Sequence, residues 1–314
     1  MKKCLLLLAC IAFATSSGFP QSKPINVVFI PKSSDQDYWT FMRQGVDKAV
    51  REEGNVKLTW RGPTHNNDTD SQIKIAQLYI VPGVDAIVLS PTDKVRLVES
   101  VQRAQALGIK VIVVDSALDG NNYQNFVTTD NYAAGKLAAQ HLSALLKAQR
   151  KVLILRTVAE SASTEDRAKG FVDYLKENAH KINLIADEYG GGSRGDNYRK
   201  AMELLRKYPA IDGIFAVNES ASEGMLSALR DAGLAAKTKF IGFDSTAFLL
   251  DGLVKHEING LVVQDPRQMG YLAVKAAVAA VKNTPVKDRT IFTNAVMVSP
   301  ENYREPEIRA LLVP

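Results

Sequence analysis

From residue 25 onward, short apolar runs alternate with longer stretches in which apolar residues recur every three or four positions. The short runs predict buried strands, and the longer stretches predict amphipathic helices. The predicted strands cover residues 25–30, 84–89, 110–114, 151–155, 182–187, 211–217 and 240–243. The predicted helices cover residues 38–53, 71–80, 94–107, 131–146, 164–178, 198–207 and 220–232. Because strands alternate with helices, the pattern predicts an α/β fold with parallel sheets that are covered by helices on both faces.

One part of this pattern occurs twice. Ser90 and Asp115 each follow a predicted strand and have a helix between them, and Asn218 and Asp244 repeat the arrangement further along the chain. The two pairs are 25 and 26 positions apart. The repeat predicts two similar doubly wound lobes that face each other across a cleft. Ligands of such sheets bind beyond the carboxyl ends of the strands, so the residues that follow the strands are candidates for a site.

The first 22 residues have the pattern of a secretory signal peptide. Lys2 and Lys3 precede an apolar run at 5–14, small residues follow, and the run is too short to span a bilayer. Both cysteines, Cys4 and Cys10, lie in this segment. The exported chain would then contain no cysteine, which excludes disulfides, thiol nucleophiles and cysteine zinc sites. Anchoring as a lipoprotein through Cys10 is the alternative.

Composition adds two limits. The chain has 314 residues, of which 46% are hydrophobic, and this is enough to build the cores of two lobes. The formal net charge of +5 is spread along the sequence without a basic stripe. The charge pattern therefore gives little support to nucleic-acid binding.

Many residues that follow the predicted strands have side chains suited to a hydroxyl-rich ligand. A sugar offers hydroxyl groups that donate and accept hydrogen bonds, together with an apolar ring face. Asp carboxylates, Asn and Gln amides, a planar Arg and aromatic rings match these groups, although such side chains also cap helices or pack in cores. The candidates are Asp35, Tyr38 and Trp39 after the first strand, Ser90, Asp115, Asn218, Asp244 and Gln264 at strand ends, and Arg167 in the first turn of a helix.

Eight short segments follow one another in a characteristic order. They are Tyr-Trp at 38–39, Ser-Pro-Thr-Asp at 90–93, Val-Asp-Ser at 114–116, Thr-Asp-Asn at 129–131, Arg-Ala-Lys-Gly-Phe at 167–171, Phe-Ala-Val-Asn at 215–218, Gly-Phe-Asp at 242–244 and Gln-Asp-Pro at 264–266. No segment is specific alone, but their order and spacing resemble the ribose-type periplasmic binding proteins of sugar ABC importers. The likeness covers nearly the whole chain after the signal peptide.

The resemblance implies two lobes that are joined by a three-strand hinge near Thr129, Gln264 and Asn294 and that close on the ligand. It predicts an N-terminal lobe of residues 24–129 plus 265–292 and a C-terminal lobe of residues 130–264 plus 293–314. It also implies a periplasmic, monomeric, non-enzymatic protein without cofactor or metal. Such a protein captures a monosaccharide, a pentose or hexose, and delivers it to the membrane permease of an ABC importer.

The resemblance further assigns roles to single residues. Tyr38 and Trp39 would sandwich the sugar ring, and Phe243 would support it from the second lobe. The residues that would bond the hydroxyl groups are Asp115, Arg167, Asn218, Asp244 and Gln264. The chain departs from the ribose binders at Ser90, where they carry Asn, at Ser116, where they carry Arg, and at 191–193, where their aromatic contact is missing. These departures predict a roomier, less charged pocket and leave the identity of the sugar open.

An enzymatic alternative rests on residues 190–195, which satisfy G-x-G-x-x-G after a strand and before a helix. This nucleotide-binding pattern also requires an acid at the end of the next strand, where the chain has Asn218. Other catalysis has little support. The four histidines show no metal-ligand spacing, the chain has no G-x-S-x-G elbow, and hydroxyl binding explains the Asp pair without glycoside cleavage.

Two further alternatives keep the ligand-binding role. Ile30-Pro31-Lys32 is similar to relatives that bind a furanosyl autoinducer through a lysine. A subunit that presents its ligand to a membrane histidine kinase or a chemoreceptor would share the features of an importer subunit. A transcriptional repressor of related fold would need an N-terminal helix-turn-helix, for which the predicted signal peptide leaves no room.

Overall fold

A computed structural model describes residues 23–146, 150–284 and 287–312. The predicted signal peptide, with Cys4 and Cys10, lies outside the described residues. Within them, no helix combines the length and the apolar character that a membrane span requires.

Twelve strands form two six-stranded sheets in the described part of the chain. The sheet of the first lobe, called the N-lobe, contains β1 (Ile25–Ile30), β2 (Val56–Trp60), β3 (Ala86–Leu89), β4 (Lys110–Val114), β5 (Asn125–Thr129) and β11 (Thr290–Thr293). The sheet of the second lobe, called the C-lobe, contains β6 (Arg150–Arg156), β7 (Ile182–Tyr189), β8 (Gly213–Ala216), β9 (Lys239–Phe243), β10 (Gly260–Gln264) and β12 (Ala295–Val298).

The two sheets have the same strand order. It is β2-β1-β3-β4-β5-β11 in the N-lobe and β7-β6-β8-β9-β10-β12 in the C-lobe. All neighbouring strands are parallel except β10 and β12, which are antiparallel. The fold predicted from the repeat, two similar doubly wound lobes, is therefore confirmed.

Helices cover both faces of each sheet. They are α1 (Asp37–Glu53), α2 (Thr69–Tyr79), α3 (Val98–Ala106), α4 (Asn131–Leu146), α5 (Ala162–Asn178), α6 (Arg194–Lys207), α7 (Glu219–Asp231), α8 (Ala247–Val254), α9 (Pro266–Val281) and α10 (Pro306–Arg309). In β1, Val27 and Phe29 face one core, while Val28 and Ile30 face the other. This two-sided burial explains why the strands are continuous apolar runs.

Three connections join the lobes. The chain leaves the N-lobe after Thr129, returns after Gln264 and crosses again between Thr293 and Ala295. The Thr129 hydroxyl donates to Oε1 of Gln264 over 2.8 Å and lies 3.4 Å from the hydroxyl of Thr293. The three connections are thus side by side, and the predicted three-strand hinge is confirmed.

In each lobe, the helix that follows the first strand packs against the helix that follows a crossing from the other lobe. The pairs are α1 with α9 in the N-lobe and α5 with α4 in the C-lobe. Two glycines mediate each pair. A methyl group at any of the four would overlap a backbone carbonyl of the facing helix. The glycines are Gly45 and Gly270 in the N-lobe, and Gly135 and Gly170 in the C-lobe. The matching close approaches show the same design in both lobes, and the carbonyl facing Gly135 is that of Arg167.

The lobes touch along the cleft. The backbone N–H of Lys94 donates to the carbonyl of Glu160 over 3.2 Å, and the N–H of Ser163 donates to the hydroxyl of Ser116 over 3.2 Å. Both bonds join the N-lobe to the C-lobe. The structure therefore shows the closed arrangement of the lobes.

Candidate ligand-binding site

A small cavity of about 30 Å³ lies between the closed lobes, beyond the carboxyl ends of the strands. The N-lobe lines it with Lys32, Gln36, Tyr38, Trp39, Asn66 and Asp115. The C-lobe lines it with Thr157, Val158, Ser161, Ser163, Thr164, Arg167, Asn218, Asp244 and Gln264.

Asp115 and Asp244 occupy equivalent places in the two lobes. Each directly follows a strand, β4 or β9, and has a left-handed backbone with φ of 65° and 67°. Each backbone N–H donates over 2.8 Å to the neighbouring strand, to the carbonyl of Val127 or of Val262. Asp and Asn tolerate this conformation better than other non-glycine residues. The repeat in the sequence therefore corresponds to a repeated backbone geometry that aims one carboxylate from each lobe into the cavity.

Three side chains of the N-lobe hold the Asp115 carboxylate. The Tyr38 hydroxyl donates to Oδ1 and the Ser90 hydroxyl to Oδ2, each over 3.0 Å. The Lys32 ammonium lies 3.4 Å from Oδ2. Ser90 is buried behind the carboxylate and is not among the lining residues. It therefore positions Asp115 rather than facing a ligand.

Lys32 was not among the predicted site residues. Its ammonium reaches across the cleft and donates to the hydroxyls of Ser161 (2.9 Å) and Ser163 (3.1 Å). Burial lowers the pKa of Lys32, although the charge of Asp115 opposes the shift. Lys32 therefore places a cation beside Asp115, where the departure at Ser116 predicted the loss of one. The available signals were its place two residues after β1 and the Ile30-Pro31-Lys32 segment of the furanosyl alternative.

Arg167 is fixed on three sides. Its Nε donates to Oδ1 of Asn131 over 2.8 Å and its Nη1 donates to the carbonyl of Val217 over 3.0 Å. The guanidinium lies over the ring of Phe243, with its carbon 3.8 Å from the ring centroid. Phe243 is completely buried and is not among the lining residues. It supports Arg167 from behind, so the expected contact between Phe243 and a sugar ring is not made in this geometry.

Gln264 and Asn218 surround Asp244. Gln264 donates from Nε2 to Oδ1 of Asp244 over 2.7 Å, and its own Oε1 accepts from Thr129, so its amide orients Asp244. Asn218 caps α7, because its Oδ1 accepts the N–H of Ala221 over 3.0 Å. Asn218 therefore caps α7 and also lines the cavity. Burial raises the pKa of Asp244, and the Arg167 charge opposes this shift.

The aromatic pair forms one wall. The rings of Tyr38 and Trp39 meet edge to face, with centroids 5.0 Å apart and planes at 88°. The predicted sandwich between these two rings is wrong, because rings in direct contact leave no space for a sugar between them. Trp39 Nε1, Gln36 Nε2 and Asn66 Oδ1 are buried without a protein hydrogen-bond partner. All three belong to lining side chains, and such orphan groups are costly unless a ligand or water satisfies them.

Two predicted features lie outside the cavity wall. Asp35 pairs with Nδ1 of His65 over 2.6 Å on the surface of the N-lobe. In the glycine loop at 190–195, the N–H groups of Gly190 and Gly191 donate to the carbonyls of Arg156 and Thr157. These amides are thus already used and do not form the open phosphate cradle that the nucleotide alternative requires. Within the described ranges, no cluster of His, Cys, Asp or Glu is arranged to hold a metal ion.

Comparison with known proteins places this cavity in a family. Residues 27–285 match the periplasmic binding protein domain. The chain belongs to the periplasmic binding protein family. The D-ribose/D-allose-binding protein of Pseudomonas aeruginosa is 29% identical over 250 residues, which cover 77% of this chain and 78% of that protein.

Solved structures of periplasmic binding proteins show the same fold. The periplasmic component of an ABC-type sugar transport system from Hahella chejuensis has a TM-score of 0.84 and 38% identity, and the match covers 87% of this chain and 99% of that one. A carbohydrate transporter solute-binding protein from Agrobacterium radiobacter, in complex with D-arabinose, has a TM-score of 0.89 and 32% identity, with 93% and 100% covered. The resemblance inferred from the eight segments is confirmed.

Proposed function

We propose that this periplasmic binding protein captures a neutral monosaccharide, a pentose or hexose, in the interlobe cavity and delivers it to the permease of an ABC importer without chemical change. The observation that carries the proposal is the pairing of carboxylates. Asp115 of the N-lobe and Asp244 of the C-lobe line one cavity. Carboxylates are strong acceptors for hydroxyl groups, so a polyhydroxylated ligand that bonds both would hold the lobes closed.

The charges of the lining side chains support a neutral ligand. In their ordinary ionisation states Lys32 and Arg167 offset Asp115 and Asp244. A phosphate or a nucleotide would leave its own charge without compensation in this buried site, and burying an unpaired charge is costly. Hydroxyl groups need acceptors, donors and an aromatic wall, all of which are present.

The relatives support the ligand class and the cellular role. The Pseudomonas aeruginosa protein is named for ribose and allose, and the Agrobacterium radiobacter structure contains D-arabinose. By similarity, we expect a pentose or hexose ligand, a periplasmic location and a membrane permease as the partner. A chemoreceptor or a sensor kinase that reads the closed lobes is compatible with the same geometry.

A furanosyl ligand, including a furanosyl autoinducer, is the second candidate, and the position of Lys32 favours it. The Lys32 ammonium lies among Asp115, Ser161 and Ser163 in the cavity wall. A furanosyl ring would accept from this ammonium in place of one of the two serine hydroxyls.

A thermal-shift panel of pentoses, hexoses, polyols, furanosyl compounds and NAD tests the proposal. A ligand at 100 times its Kd stabilises the folded protein by about 2.7 kcal/mol, which raises the melting temperature by roughly 5 °C for a protein of this size. Asp244→Asn is the matched variant, because Asn tolerates the left-handed backbone of this position. We expect a shift with one or more sugars that this variant loses. A shift with NAD and with none of the sugars would contradict the proposal.

A further inference from the structure

The N-terminus of α1 in the N-lobe receives its cap from the C-lobe. Oε1 of Glu219 accepts the N–H of Asp37 over 3.0 Å, and Oε2 accepts the N–H of Tyr38 over 2.9 Å. Gln36, which precedes the helix, makes no side-chain cap bond. The first N–H groups of a helix have no partner within the helix, so the Glu219 carboxylate supplies the two acceptors that a local N-cap residue would normally supply only in part.

This contact requires closed lobes. Glu219 is the first residue of α7 and its side chain crosses the cleft to residues more than 180 positions away in the sequence. It is only 4% exposed. When the lobes separate, the carboxylate and the two N–H groups would each return to water. The bonds therefore stabilise the closed arrangement and not the individual lobes.

We propose that Glu219 is the latch of the closed state: it caps α1 across the cleft and so holds Tyr38 and Trp39 in their ligand-binding positions. It is a positioning residue, since it is not among the residues that line the cavity. This proposal rests on the proposed function in one respect, because the affinity for the ligand is used to measure the strength of the latch.

The same residue is joined to the acidic groups of both lobes. Its backbone N–H donates to Oδ2 of Asp244 over 3.1 Å. The helix that its side chain caps carries Tyr38, whose hydroxyl donates to Asp115. A ligand that engages Asp244 would therefore fix the start of α7, and with it the carboxylate that fixes the start of α1. Glu219 thus couples the ligand-binding groups of one lobe to those of the other.

Burying the Glu219 carboxylate costs desolvation energy, which its two hydrogen bonds offset. Burial, with the nearby charges of Asp244 and Glu223, raises the pKa of Glu219 well above its usual range, and the N–H groups of Tyr38 and Asp37 oppose the shift. The positive end of the α1 dipole also favours an anion at this place. Both carboxylate oxygens face N–H donors, so the two bonds offset the desolvation only while both acceptors are present. Removal of the carboxylate leaves two buried donors without an acceptor, which is the expensive outcome.

Rapid-mixing kinetics of sugar binding, followed by tryptophan fluorescence because Trp39 lines the cavity, tests the latch. For Glu219→Ala we expect about tenfold weaker affinity, expressed as faster sugar dissociation with little change in the association rate. Glu219→Gln should fall in the same direction, because its amide nitrogen would face an N–H donor. The far-UV circular dichroism spectrum of Glu219→Ala should match that of the wild type, because the two bonds join the lobes and do not build either of them.

Asp231→Asn is the control. Asp231 lies at the other end of the same helix, where its carboxylate accepts from the Tyr198 hydroxyl over 2.8 Å within the C-lobe. This variant should bind sugar as the wild type does. Equal dissociation rates for Glu219→Ala and the wild type, or an equal loss in Asp231→Asn, would overturn the proposal.

Small-angle X-ray scattering separates the latch from the sugar proposal, because it reports lobe closure whether or not a sugar binds. A larger radius of gyration for Glu219→Ala than for the wild type and Asp231→Asn supports the latch even if no sugar binds to the wild type. If the wild type binds no sugar and the three radii are equal, both proposals fail.

Discussion

Gly192 of the C-lobe lies at the rim of the cleft and faces Asn67 of the N-lobe. A Cβ atom at Gly192 would lie 2.6 Å from Cγ, 2.7 Å from Cβ and 2.8 Å from Oδ1 of Asn67. Carbon atoms in contact normally remain about 3.5–4.0 Å apart, so alanine would force the rims apart by roughly 1 Å or displace Asn67. We therefore predict that Gly192→Ala weakens ligand binding by opposing closure, without touching the ligand.

The magnitude follows from the cost of overpacking, which is about 1–3 kcal/mol. Applied to the closed state alone, this cost corresponds to a loss of affinity between about 5-fold and 150-fold. The overlap lies between the lobes and not inside either of them, so the far-UV circular dichroism spectrum should match that of the wild type.

Isothermal titration calorimetry with the best sugar from the panel measures the effect. Gly195→Ala, three residues further along at the start of α6, is the control, because its added Cβ would meet no atom closer than 3.7 Å. We expect this control to bind as tightly as the wild type. Unchanged affinity in Gly192→Ala, or equal losses in the two variants, would refute the reasoning that the rims meet on closure.

Two further predictions concern the cations of the cavity. Arg167→Lys should bind sugar at least tenfold more weakly by calorimetry, because lysine lacks the fork that bonds Asn131 and Val217; wild-type affinity would contradict the assigned role. Burial lowers the pKa of Lys32 in the folded protein from 10.5. The unfolded chain therefore binds this proton more tightly than the folded protein does. As a result, the contribution of Lys32 to stability rises with pH between its lowered pKa and 10.5. The melting temperature of the wild type should therefore rise relative to Lys32→Met across that pH interval, whereas a constant difference would contradict the burial of Lys32.

The elements that the sequence predicted best are two strands buried in the sheets and one amphipathic helix. The strands at 25–30 and 110–114 and the helix at 131–146 have the predicted bounds, because continuous apolar runs and helical periodicity are strong local signals. The predicted start of a helix at residue 94 is wrong. Asp93 accepts the N–H groups of Val95 and Arg96 in a turn, and α3 begins only at Val98.

The strands that were not predicted have weak local signals. β2 reads Val-Lys-Leu-Thr-Trp at a sheet edge, and β5 reads Asn-Phe-Val-Thr-Thr, with three polar residues. β11 and β12 belong to the hinge and pair with strands that are distant in the sequence. The helix at 198–207 was predicted too short, because Ser193 caps α6 and starts it at Arg194. Tertiary pairing and capping decide these elements.

The site residues also divide into those with a local sequence signal and those whose role depends on tertiary contacts. The carboxylates at 115 and 244 were predictable because the ends of neighbouring parallel strands meet at one edge of a sheet. Lys32 could not be placed in the same way, since a single charge after a strand is ordinarily solvated and its burial depends on Ser161 and Ser163 of the other lobe. Phe243 was assigned to the ligand although the regular alternation of β9 directs it into the core behind Arg167.

Native mass spectrometry of the purified protein, incubated with D-ribose, D-arabinose or D-allose, tests the central claim most directly. It measures how many sugars each chain holds and whether the released sugar has changed mass. The account predicts one unmodified pentose or hexose per chain for at least one of these sugars, with the complex lost in Asp244→Asn. No complex with any sugar, or a released sugar of altered mass, would contradict it.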